Sequence, residues 1–387
     1  MILPDSNLFE EHAYFNIKTI QNLDPLQADA RLSTLPALNG NADTAALTQL
    51  LRSLAKDIAT CRIESAEAAL AAMRDIGIVA GSLKRHGIEP VAAVPEIEPP
   101  LIALGRYSNM IPRDTVHHYT SWNPPGERRR TYTGDEQERW LQDAVVHVFP
   151  NLSASLSISE ALSEMDPRDA RFAPMIGMLS DASRSMIDAI DSVTSRVSPV
   201  FFAQVMRPYF EEFTVEGTPY LGPAAAQAPL WLIDLCVWAS DRNQPDYERF
   251  LLESVQYSLP PWRDFHARHA SKTSLVTKVA DLLQSQAGEP DEGIVQSASR
   301  LADLLYQLKV FRGRHIGIAR RAYSPDVRLY DQGSGGAPVE LLKRILDLTR
   351  ENEALMQLRP RSRQHQNALR PASAGTAQQP QRQGEYA

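Results

Sequence analysis

The stretch LADLLYQLKVFRGRHIGIARRAYSPDVRLYDQGSGG, residues 301–336, decides how the rest of the chain is interpreted. Its apolar residues recur at alternating steps of three and four, which places them on one face of a helix. These residues are Leu301, Leu304, Leu308, Phe311, Ile318 and Ala322. His315 falls on the same stripe, so the pattern predicts a helix that turns an imidazole toward its buried face. That imidazole needs a partner, because an unpaired buried polar group costs about 1–3 kcal/mol.

The residues alone leave the nature of that partner open. A backbone carbonyl, a carboxylate or a metal would each satisfy the ring, and a lone histidine on an apolar face is more often an ordinary core residue than a ligand. Four arginines crowd the same region: Arg312, Arg314, Arg320 and Arg321. Arg312 lies one turn before His315. An anionic cofactor with a metal, such as haem with its two propionates, would use both the imidazole and the cations.

Composition limits the class of protein. With 387 residues the chain is long enough for two domains, or for one large domain with a tail. The 40 basic and 47 acidic side chains leave a net charge of -7, which favours neither nucleic acid nor an anionic membrane as a partner. Cys61 and Cys236 are far apart in sequence, as is typical of a reducing compartment.

No segment resembles a membrane anchor or a secretory signal. The first residues, MILPDSNLFEEHAYF, lack a basic start and an uninterrupted apolar run. The most apolar window, residues 229–239, contains Asp234 and is too short to cross a bilayer, which takes about 20 apolar residues. We therefore expect a soluble cytoplasmic protein without a nucleic-acid or membrane partner.

Helical periodicity covers most of the chain. The predicted helices span residues 44–61, 65–83, 135–147, 166–198, 200–213, 228–240, 246–257, 262–284, 292–322 and 339–358. Thr133 and Asp135 are candidate caps, and Asp166 before Pro167 is typical of a helix start. Residues 24–41 lack a clear period, and the prolines of residues 88–100 predict an extended connector. Strand-like alternation is rare, so the predicted fold class is all-α.

Residues 101–137 form the least regular segment and contain several aromatic and histidine side chains: Tyr107, His117, His118, Trp122 and Tyr132. Such side chains wall a pocket or anchor a long loop, and we favour the anchor, leaving the role of residues 105–133 open. His266 and His269 in HARH are a weak candidate metal pair because no Glu-x-x-His partner accompanies them. The chain has no phosphate-binding glycine loop, Walker lysine or serine elbow.

The loop DQGSGGAP, residues 331–338, follows the His315 helix closely. Its glycines expose backbone amides beside the hydroxyl of Ser334, which suits closure over an amino-acid or propionate group. An ordinary flexible connector is the alternative, and the position near His315 favours the binding loop. Beyond residue 358, five arginines against one acidic residue and few apolar residues predict a disordered tail.

FRGRHIGIARRAY followed by GSGG resembles the haem domain of the indoleamine 2,3-dioxygenase superfamily. FFAQVMRPYF is similar to that superfamily's distal segment, with Phe202 and Arg207 at its phenylalanine and arginine positions, and GPAAAQAPLWL is similar to the helix start over the haem. These elements occur in order over roughly residues 198–353. The resemblance implies a two-domain helical haem protein: residues 1–150 form a mainly helical domain with irregular loops, 151–358 an all-helical haem domain, and 359–387 the tail.

Three departures bring the chain closer to the pyrrolnitrin-pathway branch of the superfamily. Ala224 replaces a serine, the stretch between Arg207 and Gly222 is short, and the glycine loop reads GSGGA. This likeness implies a haem b enzyme that binds 7-chloro-L-tryptophan or tryptophan, rearranges the indole into an aminophenyl pyrrole and removes the carboxylate, with dioxygen or peroxide as the oxidant. The alternatives are an indole-ring-opening dioxygenase and a non-enzymatic helical binding module.

The resemblance also implies roles for individual residues. His315 would ligate the iron, Arg312 would pair with a propionate, and Gly333 and Gly336 would lie against the cofactor. Tyr323 and Ser334 would act in catalysis by holding the amino or carboxylate group of the substrate. The remaining residues implied to contact the substrate are Phe202, Arg207, Ala224, Ala225 and Gly335.

Overall fold

The computed structural model describes residues 14–285, 291–329 and 335–357, and their regular structure is almost all helical. In chain order the α-helices are α1 (Ile17–Asn22), α2 (Asp29–Leu32), α3 (Leu35–Gly40), α4 (Thr44–Thr60), α5 (Ala66–Arg85), α6 (Pro90–Ala93), α7 (Glu98–Ser108), α8 (Val116–Tyr119), α9 (Glu136–Glu164), α10 (Phe172–Arg196), α11 (Leu230–Asp234), α12 (Ser240–Arg242), α13 (Pro245–Val255), α14 (Pro260–His269), α15 (Leu275–Ser285), α16 (Glu292–Ala322) and α17 (Val339–Gln357). The all-α fold class predicted from the sequence is confirmed.

Shorter helical turns connect some of these helices. The 3-10 turns are Pro95–Ile97, Gly126–Arg128, Arg207–Phe210 and Ala225–Gln227, and the π-helical turns are Phe201–Met206 and Leu235–Ala239. Two strands, β1 (Phe213–Val215) and β2 (Thr218–Tyr220), form an antiparallel hairpin in which Phe213 pairs with Tyr220. Both turn residues, Glu216 at φ 47° and Gly217 at φ 74°, adopt the left-handed conformation that a two-residue hairpin turn requires.

The first two long helices begin where the sequence predicts. Asp43 caps α4 by accepting a hydrogen bond from the Ala46 amide at 2.9 Å, and Ser65 caps α5 through the Ala68 amide at 3.1 Å. Each cap satisfies an amide that has no partner inside the helix. Helix α5 is buried along most of its length and forms the centre of the amino-terminal half.

The prediction of an extended connector over residues 88–100 is wrong. The prolines there occupy first-turn positions of α6, of the 3-10 turn Pro95–Ile97 and of α7. A proline is tolerated in the first turn of a helix because the amide that it lacks has no helical acceptor there. Residues 24–41 likewise contain α2 and α3, which are too short to show a period in sequence.

Other predicted boundaries also differ from the structure. The helix expected over residues 135–147 continues to Glu164 as α9. The helix expected from Asp166 begins at Phe172, because Asp166 instead accepts a hydrogen bond from the Arg168 amide in a turn. The single helix expected over residues 262–284 is divided into α14 and α15. The helix expected over residues 200–213 ends at Phe210, and residues 213–215 form β1.

The irregular segment before α9 is fixed by buried side chains. His117, His118, Trp122 and Tyr132 are buried, whereas Tyr107 is 53% exposed. The carboxylate of Glu138 on α9 accepts hydrogen bonds from the Tyr119 hydroxyl and the Tyr132 amide, both at 2.7 Å, and from the Thr133 amide at 2.8 Å. These contacts agree with the interpretation of the aromatic residues as anchors of a long loop.

The longest helix, α16, packs against α10 and α17 and joins the larger of two clusters of buried apolar side chains. The smaller cluster lies around α4, α5 and α7. Helix α9 runs without a break through residue 150, the predicted domain boundary, and the division into domains stays a prediction. The predicted tail, residues 359–387, lies outside the described residues. No helix among those described is both long and apolar enough to span a membrane.

Candidate active site

A cavity of about 590 Å³ lies between α9, α10, α16, α17 and the chain from Phe202 to Asp234. Helices α9 and α10 contribute aliphatic side chains, among them Val145, Val148 and Val193. The volume is within the usual range of small-molecule and cofactor sites, which are mostly apolar with a few convergent polar groups. The cavity therefore has the size and the lining of a ligand site.

The carboxy-terminal part of the apolar stripe on α16 lines this cavity. Leu301, Leu304 and Leu308 are fully buried in the core, and one or two turns later Phe311 and His315 line the cavity. The His315 ring stacks on Phe311, with the ring centroids 5.9 Å apart. No residue in the described part of the chain forms a hydrogen bond or an ion pair with the imidazole of His315.

The electrostatic surroundings keep His315 neutral. Burial is the main cause, and the nearby guanidinium of Arg312 adds to it; both lower the pKa of the imidazole below 6.5. A neutral imidazole has a nitrogen lone pair, which is the form that ligates a metal. His315 is also the only histidine that lines the cavity in the described residues. His315 could therefore hold the metal of a cofactor bound in this cavity: the cavity provides the space, and His315 provides the unused donor.

Arg312 lines the cavity one turn before His315 but is already paired. Only 6% exposed, it donates one hydrogen bond to the Asp234 carboxylate and another to Thr349 Oγ1 at 2.5 Å. The same carboxylate accepts from the Tyr247 hydroxyl at 2.6 Å and from the Trp238 indole at 3.1 Å. Asp234 thus balances the charge of Arg312, and the pairing of Arg312 with a propionate stays a prediction.

The distal residues predicted from the sequence divide into two groups. Phe202, on the π-helical turn, and Ala225, on a 3-10 turn, line the cavity. Arg207 is buried where the π-helical turn tightens into a 3-10 turn, and it does not line the cavity; Ala224 is buried as well and does not line it. The structure therefore places Phe202 and Ala225, but not Arg207 or Ala224, beside His315.

Beyond the end of α16 the chain returns to the cavity. Tyr323, the carboxy-terminal cap of α16, and Gly335 both line it. Gly336 does not line it and has φ +78°, a left-handed conformation that favours glycine. Gly333 and Ser334 lie outside the described residues, so their predicted roles stay predictions.

Some polar residues at the cavity were not singled out as site residues. Asp234, Tyr247 and Arg321 line it, and Thr349 lies directly behind Arg312. Burial first, and then the charge of Asp234, raise the pKa of Tyr247 well above its ordinary value, so the phenol stays neutral and donates. A signal for Asp234 existed: it is the acidic residue inside the most apolar window of the sequence. Nothing in the sequence distinguishes Thr349.

The weak metal candidate in HARH does not form a site. His269 uses both ring nitrogens, one near the Phe265 carbonyl at 2.9 Å and the other near Ser163 Oγ at 3.0 Å. The His266 ring packs against Trp231 instead. Among the described residues, no cluster of three His, Cys, Asp or Glu side chains is arranged to hold a metal ion.

Comparison with known families gives a match over most of the chain. The model described as monodechloroaminopyrrolnitrin synthase PrnB matches residues 18–302, from α1 into the first part of α16. The matched segment includes Phe202, Ala225 and Asp234 of the cavity. It ends before Arg312 and His315, so the assignment of these two residues depends on the geometry of the cavity and on the sequence resemblance.

Proposed function

Because the chain belongs to the monodechloroaminopyrrolnitrin synthase family of pyrrolnitrin biosynthesis, we propose that the cavity beside His315 binds haem b and catalyses the oxidative rearrangement of 7-chloro-L-tryptophan. The protein is an enzyme of this family. The haem, the substrate and the roles of the individual residues belong to the proposal. The cytoplasmic location expected from the sequence stays a prediction.

One observation carries the assignment of the cofactor. His315 presents a neutral imidazole to a large apolar cavity, and no group among the described residues occupies its ring nitrogens. His315 is half-buried at the cavity wall, so its imidazole is accessible to a ligand in the cavity. Coordination to iron would use this donor. Asp234, by pairing with Arg312, holds the turn of α16 that precedes His315 and so fixes the orientation of the ring.

Haem, when bound, supplies the oxidising iron. The overall change removes carbon dioxide and two hydrogen atoms from the amino acid, a two-electron oxidation that uses dioxygen or peroxide. The protein's share is to position the substrate and to exclude water. Phe202 packs against the indole ring, and the aliphatic walls from α9 and α10 keep water out. Tyr323, at the end of α16, holds the polar end of the amino acid.

The test of the cofactor is the visible spectrum of the purified protein after incubation with haemin. We expect the wild-type protein to give a Soret band of a histidine-ligated haem. His315→Gly should lose it, and added imidazole should restore it by entering the space of the missing side chain. His147→Ala, which changes an exposed histidine on α9, is the control. A His315→Gly protein with the wild-type spectrum would contradict the assignment of the iron ligand.

The test of the reaction is the mass of the product. With 7-chlorotryptophan, an oxidant and a reductant, we expect a product lighter than the substrate by carbon dioxide and two hydrogen atoms. Opening of the indole ring would instead add two oxygen atoms and keep the carboxylate. That second product would show that the chain acts as a ring-opening dioxygenase.

A further inference from the structure

The described charged side chains on the cavity wall do not balance. In the part of the chain that the structure describes, the charged side chains lining the cavity are Asp234, Arg312 and Arg321. Asp234 and Arg312 are paired and both are nearly fully buried, at 1% and 6% exposed. Their charges cancel, so that, among the described residues, Arg321 is left as an uncompensated positive charge at the cavity.

Arg321 lies in the last turn of α16, two turns after His315, with an exposed side chain. Its guanidinium forms no hydrogen bond or ion pair with any residue in the described ranges. A position at the carboxy-terminal end of a helix favours a cation in general, since the helix dipole is negative there. Arg320 has the same advantage and is also exposed, but it does not line the cavity. The dipole therefore does not account for a guanidinium at the cavity.

We propose that Arg321 binds a carboxylate of the ligand that occupies this cavity, an inference that rests on the proposed function. Guanidinium groups pair with carboxylates through two parallel hydrogen bonds, a geometry that lysine does not offer. Arg321 is exposed to solvent and also lines the cavity. It therefore suits a ligand whose apolar body lies in the cavity and whose charged end lies near the surface. Two ligands of the proposed function have such an end: haem, through a propionate, and the amino acid.

The first experiment compares Arg321→Gln with the matched control Arg320→Gln and measures haem release to an excess of an apo-haemoprotein acceptor. If the carboxylate is a propionate, Arg321→Gln should release haem about twofold to fivefold faster than the control, the range for a partly exposed ion pair. Higher salt should reduce the difference. With haem dimethyl ester, which lacks the propionate charge, the two variants should release the cofactor at the same rate.

The second experiment measures the spectral shift that tryptophan and tryptamine cause in the haem-loaded variants. If the carboxylate belongs to the substrate, Arg321→Gln should weaken tryptophan binding about twofold to fivefold relative to Arg320→Gln. Tryptamine, which has no carboxylate, should bind both variants equally. Either difference supports the proposal and identifies the source of the carboxylate.

The proposal is overturned if Arg321→Gln matches Arg320→Gln in both experiments while the wild-type protein takes up haem normally. A wild-type protein that takes up no haem has a different meaning. That result contradicts the proposed function itself, and the Arg321 proposal fails with it because its ligand is then absent.

Discussion

The buried pair of Arg312 and Asp234 should behave as one energetic unit. We consider Asp234→Asn, which keeps the shape and the acceptor for Trp238 or Tyr247 but removes the negative charge. The guanidinium of Arg312 would then stay buried without a counter-ion. Removing one partner of a buried ion pair costs about 3–5 kcal/mol, since the remaining charge keeps its desolvation penalty. Folded domains are stable by only about 5–15 kcal/mol, so the effect should be large.

A double-mutant cycle measures the coupling. Arg312→Met should also destabilise, because it leaves Asp234 charged and buried with only neutral donors, Tyr247 and Trp238. The double variant contains no buried charge at this place. We therefore expect it to be no less stable than either single variant, with a coupling free energy of about 3 kcal/mol or more in urea unfolding.

A surface pair between α16 and α10 provides the control. Arg314 and Asp191 form an ion pair with side chains 41% and 54% exposed. Asp191→Asn should change the free energy of unfolding by less than about 1 kcal/mol. If Asp234→Asn and Arg312→Met have additive effects, or if Asp234→Asn costs no more than Asp191→Asn, the buried pair does not hold this wall as we describe.

The same variants should move the pKa of His315 in opposite directions. Arg312 lowers this pKa, second to burial. Arg312→Met removes the positive charge and should raise the pKa, whereas Asp234→Asn leaves that charge uncompensated and should lower it further. The imidazole titration, followed by NMR in the haem-free protein, checks the sign of each shift. Equal shifts in the two variants would contradict the role assigned to Arg312.

Three further predictions concern other parts of the molecule. Burial raises the pKa of Asp114 to about 6 from 3.8, so the unfolded state loses this proton first as the pH rises. As the pH rises from about 4 to 6, the ionisation of Asp114 should lower the free energy of unfolding by about 3 kcal/mol. Urea midpoints of the wild-type protein and Asp114→Asn, measured across this pH range, should show the difference. Gly77→Ala should destabilise the fold, because a Cβ there would lie 2.3 Å from Asp114 Cγ. Gly317 has open space around it, so Gly317→Ala should stabilise α16 by about 0.5–1 kcal/mol in thermal unfolding. Burial raises the pKa of the Cys236 thiol, so iodoacetamide should modify half-buried Cys61 in the native protein and Cys236 only after denaturation, as mass spectrometry would show.

Periodicity and capping residues identify the long helices well. On the stripe of α16, Leu301, Leu304, Leu308 and Ala322 are buried as predicted, whereas Phe311, His315 and Ile318 are half-buried. The caps Asp43 and Ser65 begin α4 and α5. Periodicity and capping residues are local features of the sequence. Predictions from local features fail where the same residue type is common in two different structures. The prolines of residues 88–100 are an example: a proline in the first turn of a helix and a proline in an extended segment look the same in sequence.

The candidate site is less predictable because it depends on contacts between distant elements. His315 was found from its place on the stripe, and its position on the cavity wall agrees with that argument. The partner of Arg312 is different: Asp234 lies on another helix, and no spacing in the sequence connects the two. The resemblance also predicted that Arg207 contacts the substrate, whereas in the structure Arg207 is buried and does not line the cavity.

The two π-helical turns have a consequence for comparing this chain with its relatives. A π-helical turn contains about one residue more than an α-helical turn, so a relative with an ordinary helix at Phe201–Met206 or Leu235–Ala239 would be one residue shorter inside the helix. The alignment gap then belongs within the turn. If the gap is placed in the nearest loop instead, every position between that loop and the π-helical turn is aligned one residue out of register. The role of Phe202 is then assigned to a neighbouring residue.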